Sequence, residues 1–276
     1  MSDPSVQPSK PISPAVAVVQ PGTGRWRTRL LPVATFLALL GLWQLAVIVS
    51  KTDILPSPLQ VGKGLVELAQ RGLLLKYVVA SLFRVSWGFL LAVVIGWPVG
   101  LALGWYSAAF RAFNPLIQVL RPISPIAWIP LAILWFGISD LAPIFLIFMA
   151  SFFPIVVTAA AAVRTIPPIY LRVAANFGLS RGELFRLVIF RATLAQVVTG
   201  LRIALGVAWM VVVAAEMIAV DSGLGYLIVD ARNAGKRYDL VVAGMVLIGL
   251  VGLALDLLLR RIENLPDVRC GEERPA

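Results

Sequence analysis

An all-α polytopic membrane protein of about six transmembrane helices is the fold class this sequence predicts, and three observations predict it. Hydrophobic residues make up 59% of the 276 and charged residues only 14%. The mean hydropathy is +0.90. The apolar residues fall in long runs separated by short polar intervals. A chain of this size cannot bury so much apolar surface within itself, so lipid is its main solvent. Inside the hydrocarbon every backbone polar group must be bonded internally, and a helix needs roughly 20 mostly apolar residues to cross it.

The first two runs, about Leu30 to Val49 and about Val85 to Tyr106, contain no charge. A third, about Ile123 to Ile138, is short and interrupted by Pro125 and Pro130. The fourth spans about Leu141 to Val163, the fifth about Val197 to Val220 with Arg202 and Glu216 inside it, and the sixth about Leu240 to Leu259. These runs and their connections make a permease-sized membrane domain over 30–263, flanked by a tail at 1–29 and another at 264–276. The first tail, rich in Pro, Ser and Val without apolar period, reads as disordered. It is too polar and too long to be a signal peptide.

The net charge of +10 is a topology signal rather than a nucleic-acid footprint, because of where it sits. Lys10, Arg25, Arg27 and Arg29 precede the first run, Arg111 and Arg121 follow the second, Arg164, Arg172, Arg181, Arg186 and Arg191 follow the fourth, and Arg260, Arg261, Arg269 and Arg274 follow the sixth. Under the positive-inside rule these share the cytoplasmic side, and both termini lie there. Lys51, Lys63, Arg71, Lys76 and Arg84 fall in one loop on the other side; Arg232, Lys236 and Arg237 fall in a second, offset by Asp221, Asp230 and Asp239. Cys270 is the sole cysteine, so neither an intrachain disulfide nor a multi-cysteine metal site is available.

Several chemistries lack their equipment. No phosphate loop ending in Gly-Lys-Ser/Thr occurs, so ATP hydrolysis by that route is excluded. The chain has no His, and no zinc-binding or nucleophile-elbow motif is present. We therefore expect no catalytic residue, no metal site and no cofactor in this chain. Glu216 is the clear carboxylate inside a run, and it reads equally as a buried hydrogen-bonded residue or as a coupling group of an ion-driven transporter or channel acting alone.

Between the fourth and fifth runs the polarity rises over 164–193. Pro167 and Pro168 suit a helix start, Ile169 to Phe177 continue it, and Gly178 fits the left-handed residue that closes it. Ser180 and Glu183 match a capping box, with Leu179 and Leu184 placed for a hydrophobic staple. Leu184, Phe185, Val188 and Ile189 then recur on one helical face, with Arg181 and Arg186 elsewhere. The result is a short helical hairpin. It fits an interfacial helix resting on anionic lipid, and it fits a docking knob for a cytosolic partner.

The segment "RVAANFGLSRGELFRLVIFRATLAQVVTGLRIALGVAWMVVVAAEM", from Arg172 to Met217, resembles the cytoplasmic loop and following span of binding-protein-dependent ABC importer permeases. The loop signature of that family is Glu-Ala-Ala, three residues, then Gly. The likeness is to the nitrate, sulfonate, taurine and bicarbonate subgroup. It extends to "LPSPLQV" (Leu55 to Val61), "SLFRVSWGFLLA" (Ser81 to Ala92), "LRPISPIAWIPLAILWFGI" (Leu120 to Ile138) and "SGLGYLI" (Ser222 to Ile228). Arg172 stands where the signature often has Glu, and Arg191 and Ala195 where prolines are usual.

The resemblance implies a type I, MetI-like permease fold in a bacterial plasma membrane, and a loop that carries a coupling helix. Ala174, Ala175, Gly178, Leu179, Ser180, Gly182, Glu183 and Phe185 would dock on the ATPase. It also implies cytosolic ABC ATPase subunits that bind ATP and Mg, an extracytoplasmic substrate-binding protein, a permease homodimer, and a small oxyanion as cargo. A membrane anchor that docks an ATPase and moves nothing remains a further alternative.

Two ridges of small residues, Gly96, Gly100 and Gly104 in the second run and Gly200, Ala204 and Ala208 in the fifth, predict close helix packing. Pro122, Pro125 and Pro130 each remove a backbone donor. Irregular backbone at membrane depth belongs beside protein or a water-filled cavity, so Ile123 to Pro130 with Trp128 is either a pathway wall or a kinked packing helix. Pro125, Trp128, Pro130, Arg202 and Glu216 are the pathway candidates. Arg84 and Arg121 lie near run ends, where lipid-anchoring arginines look the same.

Overall fold

The computed structural model describes residues 25–50, 52, 54–233 and 235–263, with side chains from Leu30 onward. The tails up to Gly24 and from Asn264, with Cys270, lie outside the described residues. Two compact units are present, up to Lys51 and from Thr52. The first holds one long apolar helix, α1 (Arg25–Ser50). Arg25 to Arg29, expected in the tail, already belong to it, because nothing in Arg-Trp-Arg-Thr-Arg breaks a helix.

The second unit begins with α2 (Pro58–Gln70), whose start is set by a capping box between Ser57 and Gln60 and by Pro58 in the first turn. Then comes α3 (Leu73–Trp105). It starts 12 residues before the expected Val85, and the reason is physical. Ser81 and Arg84 are buried against groups from other helices, so polarity that reads as loop in the linear sequence is consumed by the fold.

The third expected span, about Ile123 to Ile138, holds only a 3-10 turn at Pro125–Trp128 and α5 (Ile129–Phe136). An unexpected helix, α4 (Ser107–Leu120), precedes them, and the two arms are bent by 83°. Pro122 and Pro125 end the first arm. Pro130 interrupts nothing, since it occupies the first turn of α5, where its missing N–H is not needed.

α6 (Leu141–Arg164) is the centre of the unit, packed against α3 on one side and the fifth long helix on the other. The α3 side is a ridge of small residues every four positions: Gly88, Ala92, Gly96, Gly100 and Gly104. A Cβ added at Gly100 would sit 2.6 Å from the Ala159 Cβ, and one at Gly104 2.7 Å from the Ala160 carbonyl. The expected ridge is thus real packing, longer by Gly88 and Ala92 than the three glycines suggest. On the opposite side Gly200 abuts Thr158, and Ala204 and Ala208 are fully buried.

After α7 (Pro168–Asn176) the chain enters α8, a helix of 39 residues over Arg181–Ala219 with a π-helical stretch at Leu184–Ile189. The expected second arm of the hairpin is therefore no separate helix. No Gly or Pro stands between Arg186 and Gln196, so nothing ends the helix before the membrane. α9 (Leu224–Asn233) and α10 (Tyr238–Glu263) follow as the last described elements. Among the described residues, five helices are long and apolar enough to cross a membrane, or six if the bent pair counts as one span.

Candidate functional site

The polar interval after α6 is built by local chemistry. Gly178 closes α7 at a φ of +68°, a backbone state that costs an L side chain about 1–2 kcal/mol. Its N–H donates to the Ala175 carbonyl and the Leu179 N–H donates to the Ala174 carbonyl, at 3.0 and 3.1 Å. That double bond pattern satisfies carbonyls the helix end leaves open. The Ser180 N–H then donates to the Glu183 carboxylate at 2.9 Å, while the Glu183 N–H donates to the Ser180 hydroxyl at 3.4 Å. The chain reverses in a tight turn with its donors used.

Of the expected docking residues, Ala174 is buried and Leu179 half-buried, which anchors the turn. Ala175, Gly178, Ser180, Gly182, Glu183 and Phe185 face outward. Phe185 thus lies off the inward face that Leu184, Val188 and Ile189 form. Sequence reasoning missed the most prominent residues here. Ile169, Val173 and Phe177 recur every four positions and are 58%, 43% and 81% exposed. Tyr170 and Phe177 also line a groove between α7 and the start of α8, with Gly182 and Arg186 on its far wall. Arg172, Arg181 and Arg186 are exposed around it. An apolar stripe ringed by cations is suited to a partner surface that is greasy at its centre and acidic at its rim.

At the other end of α8 a polar cluster is closed. The Arg84 guanidinium, 2% exposed, donates to Asp140 Oδ1 at 2.8 Å, Glu216 Oε1 at 2.8 Å, the Ser222 carbonyl at 2.7 Å and the Ser222 hydroxyl at 2.6 Å. Glu216 also accepts from the Ser81 hydroxyl at 2.8 Å and the Gly225 N–H at 3.0 Å. Gly223 and Gly225 permit this approach, because a Cβ on either would collide with Glu216. The motif "SGLGYLI" therefore folds over a buried carboxylate. α3, α6, α8 and α9 are pinned together by it.

The pathway candidates do not meet in one place. Arg202 donates to Asp256 and Glu263 at 2.7 and 3.1 Å, clamping α8 to α10, and Glu216 sits in the closed cluster. Pro125 and Trp128 instead line a cavity of about 150 Å³ with Arg121, Ala150 and Pro154. Pro130 is exposed beside it. The long-range partners of Arg84 carry no local signal: Glu216 lies 132 residues away.

Known proteins resemble this chain along most of its length. The family described as binding-protein-dependent transport system inner membrane component matches residues 78–266. A putative ABC transporter permease of Methanocaldococcus jannaschii is 38% identical over 81% of this chain and 85% of that protein. The nitrate import permease NrtB of Leptolyngbya laminosa is 36% identical, with 85% and 87% covered. The taurine transport system permease TauC of Escherichia coli is 34% identical, with 87% and 91% covered. A chain of the MetNI methionine ABC transporter, solved in an inward-facing conformation, superimposes with a TM-score of 0.62 at 19% identity, covering 73% of this chain and 97% of that one.

Proposed function

Because the chain belongs to the family of binding-protein-dependent transport system inner membrane components, the multi-pass permease subunits of ABC importers, we propose that it forms one half of a homodimeric pathway importing a small oxyanion. The similarity to permeases named for nitrate and taurine supports that cargo class, with sulfonates in general and bicarbonate included in it. Both termini face the cytoplasm in this reading, which the excess of arginines flanking the runs on that side supports.

The chain itself performs no chemistry. Cytosolic ATPase subunits bind ATP and Mg, and an extracytoplasmic binding protein delivers the oxyanion. The α7–α8 hairpin, with Ala174, Ala175, Gly178, Leu179, Ser180, Gly182, Glu183 and Phe185, enters a cleft of the ATPase. Nucleotide binding there draws two hairpins together and opens the pathway outward; hydrolysis resets it. The observation that carries this reading is the exposed, doubly capped hairpin at the foot of one uninterrupted helix. At 1.5 Å per residue, the 39 residues of α8 reach about 58 Å, so displacement at the hairpin is delivered to the outer cluster.

An ion-coupled carrier working through Glu216 is a poor alternative. That carboxylate is 0% exposed and already accepts from Arg84, Ser81 and Gly225, leaving no wet face for an incoming ion. The test is cysteine crosslinking from Leu179 and Glu183, in a Cys270→Ser background, with and without a non-hydrolysable ATP analogue. A nucleotide-sensitive crosslink to an ATPase is expected. Crosslinks to lipid or self alone would make the hairpin an interfacial helix and overturn the coupling assignment.

A further inference from the structure

α4 has three faces rather than two. Phe110 and Ile117 pack against Leu103, Val156 and Ala160 of α3 and α6. Phe113, Leu116 and Val119 are more than half exposed and apolar. Between these, Ser107, Arg111, Asn114, Gln118 and Arg121 recur at intervals of four, three, four and three residues, the spacing of a single helical stripe. The Gln118 amide donates to Asn114 Oδ1 at 3.4 Å, as neighbours on such a stripe do.

The depth of this stripe follows from its contacts with α6. At its beginning, Phe110 lies under the guanidinium of Arg164, the last residue of α6, at 4.2 Å. At its end, Arg121 shares a cavity with Met149, Ala150, Phe153 and Pro154. Those residues stand near the middle of a 24-residue apolar helix, at least about 12 Å from either end by helical rise. The stripe therefore climbs from one membrane face to mid-depth and stops where the span breaks.

An arginine at that depth calls for an anion, and the described residues of the long helices offer it none. Among the described residues of the long helices the acidic side chains are Glu183, Glu216, Asp239, Asp256 and Glu263. Glu183 is bound to Ser180 at the hairpin, and the other four to Arg84, Arg237 or Arg202. A second copy of the chain would bring the same committed carboxylates. Lipid phosphates lie at the surface, not at the middle of α6.

Resting on the oxyanion-permease reading above, we propose that Arg121, with Gln118 and Asn114 leading to it, is the mid-membrane station that the transported oxyanion occupies. The guanidinium supplies charge and a planar pair of donors suited to nitrate, sulfonate or bicarbonate oxygens. The two amides supply further N–H donors, and Trp128 walls the cavity. The apolar face of α4 keeps the stripe at a boundary rather than in bulk water.

The test uses the complete importer in proteoliposomes, with uptake of labelled nitrate and of labelled taurine measured separately. Arg121→Gln is expected to raise KM by about tenfold or more, the worth of one charge-assisted contact, while still co-purifying with the ATPase. Arg121→Lys, which keeps the charge and loses the fork, is expected to fall between. In a Cys270→Ser background, Gln118→Cys should react with a charged, water-soluble thiol reagent and be shielded by substrate, while Val119→Cys should not react. Wild-type KM and rate in Arg121→Gln would overturn the station, as would equal labelling at the two positions. Import of neither anion by the wild-type complex would sink the parent reading instead.

Discussion

Arg84 and Arg121 both sit within the apolar body of the molecule, and the fold treats them oppositely. Arg84 is 2% exposed and bonded to Asp140, Glu216 and Ser222; Arg121 is exposed beside a cavity and faces no carboxylate among the described residues. A guanidinium carries five N–H donors, and burying it is tolerable only when they are used. Where the protein uses all of its own acceptors, the arginine is scaffold. Where it uses none, the arginine is left for something that arrives. The same division separates the closed cluster at the C-terminal end of α8 from the open hairpin at its N-terminal end.

The sharpest way to break this comparison is to remove each cation in turn. Arg84→Met leaves the Glu216 carboxylate buried without its counter-ion, and we expect a loss of about 3–5 kcal/mol, read as thermal unfolding of the purified protein in detergent. Arg84→Met combined with Glu216→Leu should recover part of that loss, since no charge is then stranded. Arg121→Met should shift stability by about 0.5 kcal/mol or less, as exposed substitutions do. Equal destabilisation at the two positions would erase the distinction between scaffold and station.

Why one half of the contrast was readable in sequence and the other was not comes down to range. The hairpin is written in adjacent residues: Gly178 for its φ, Ser180 and Glu183 for their reciprocal bonds. The extent of α3 was misread because Ser81 and Arg84 share Glu216, more than 130 residues away, beyond any window of hydropathy. α4 was passed over because its polar stripe dilutes its apolarity, although its period was visible once Arg111, Asn114, Gln118 and Arg121 are taken together. The Gly96, Gly100 and Gly104 ridge was legible because small residues at helical spacing have few other uses in lipid. Phe177 was overlooked since a lone aromatic after a short helix looks like core.

At the hairpin the contrast becomes one between a residue that shapes the turn and a residue that the proposed docking would bring against the partner. Gly178→Ala forces a side chain into a left-handed backbone and should cost about 1 kcal/mol or somewhat more. Phe177→Ala removes a side chain that is 81% exposed, so unfolding should be unchanged while ATPase co-purification falls. Were Phe177→Ala to destabilise the isolated protein instead, the ring would belong to the fold, and the docking face would have to be redrawn around Phe185.

The smallest effect is expected at the ion pairs that join α2 to the start of α10. Arg237 bonds Glu67 at 2.6 Å and Asp239 at 2.8 Å, and Arg71 also reaches Glu67 at 2.7 Å. The hydrogen bond from Arg237 chiefly holds the Glu67 carboxyl below its ordinary value of 4.5. A carboxylate depressed in the folded state contributes stability that is present above its unfolded value and lost as pH falls through the folded one. Attachment of α2 should therefore be constant from neutrality down to about pH 4.5 and weaken below it. Proteolysis near Gly62 at stepped pH would show this, with Glu67→Gln loose at every pH. The contribution is minor because the pair is partly solvated and salt-screened. That places Glu67 between the two arginines: the protein has used its charge, but at a surface where water could have done so.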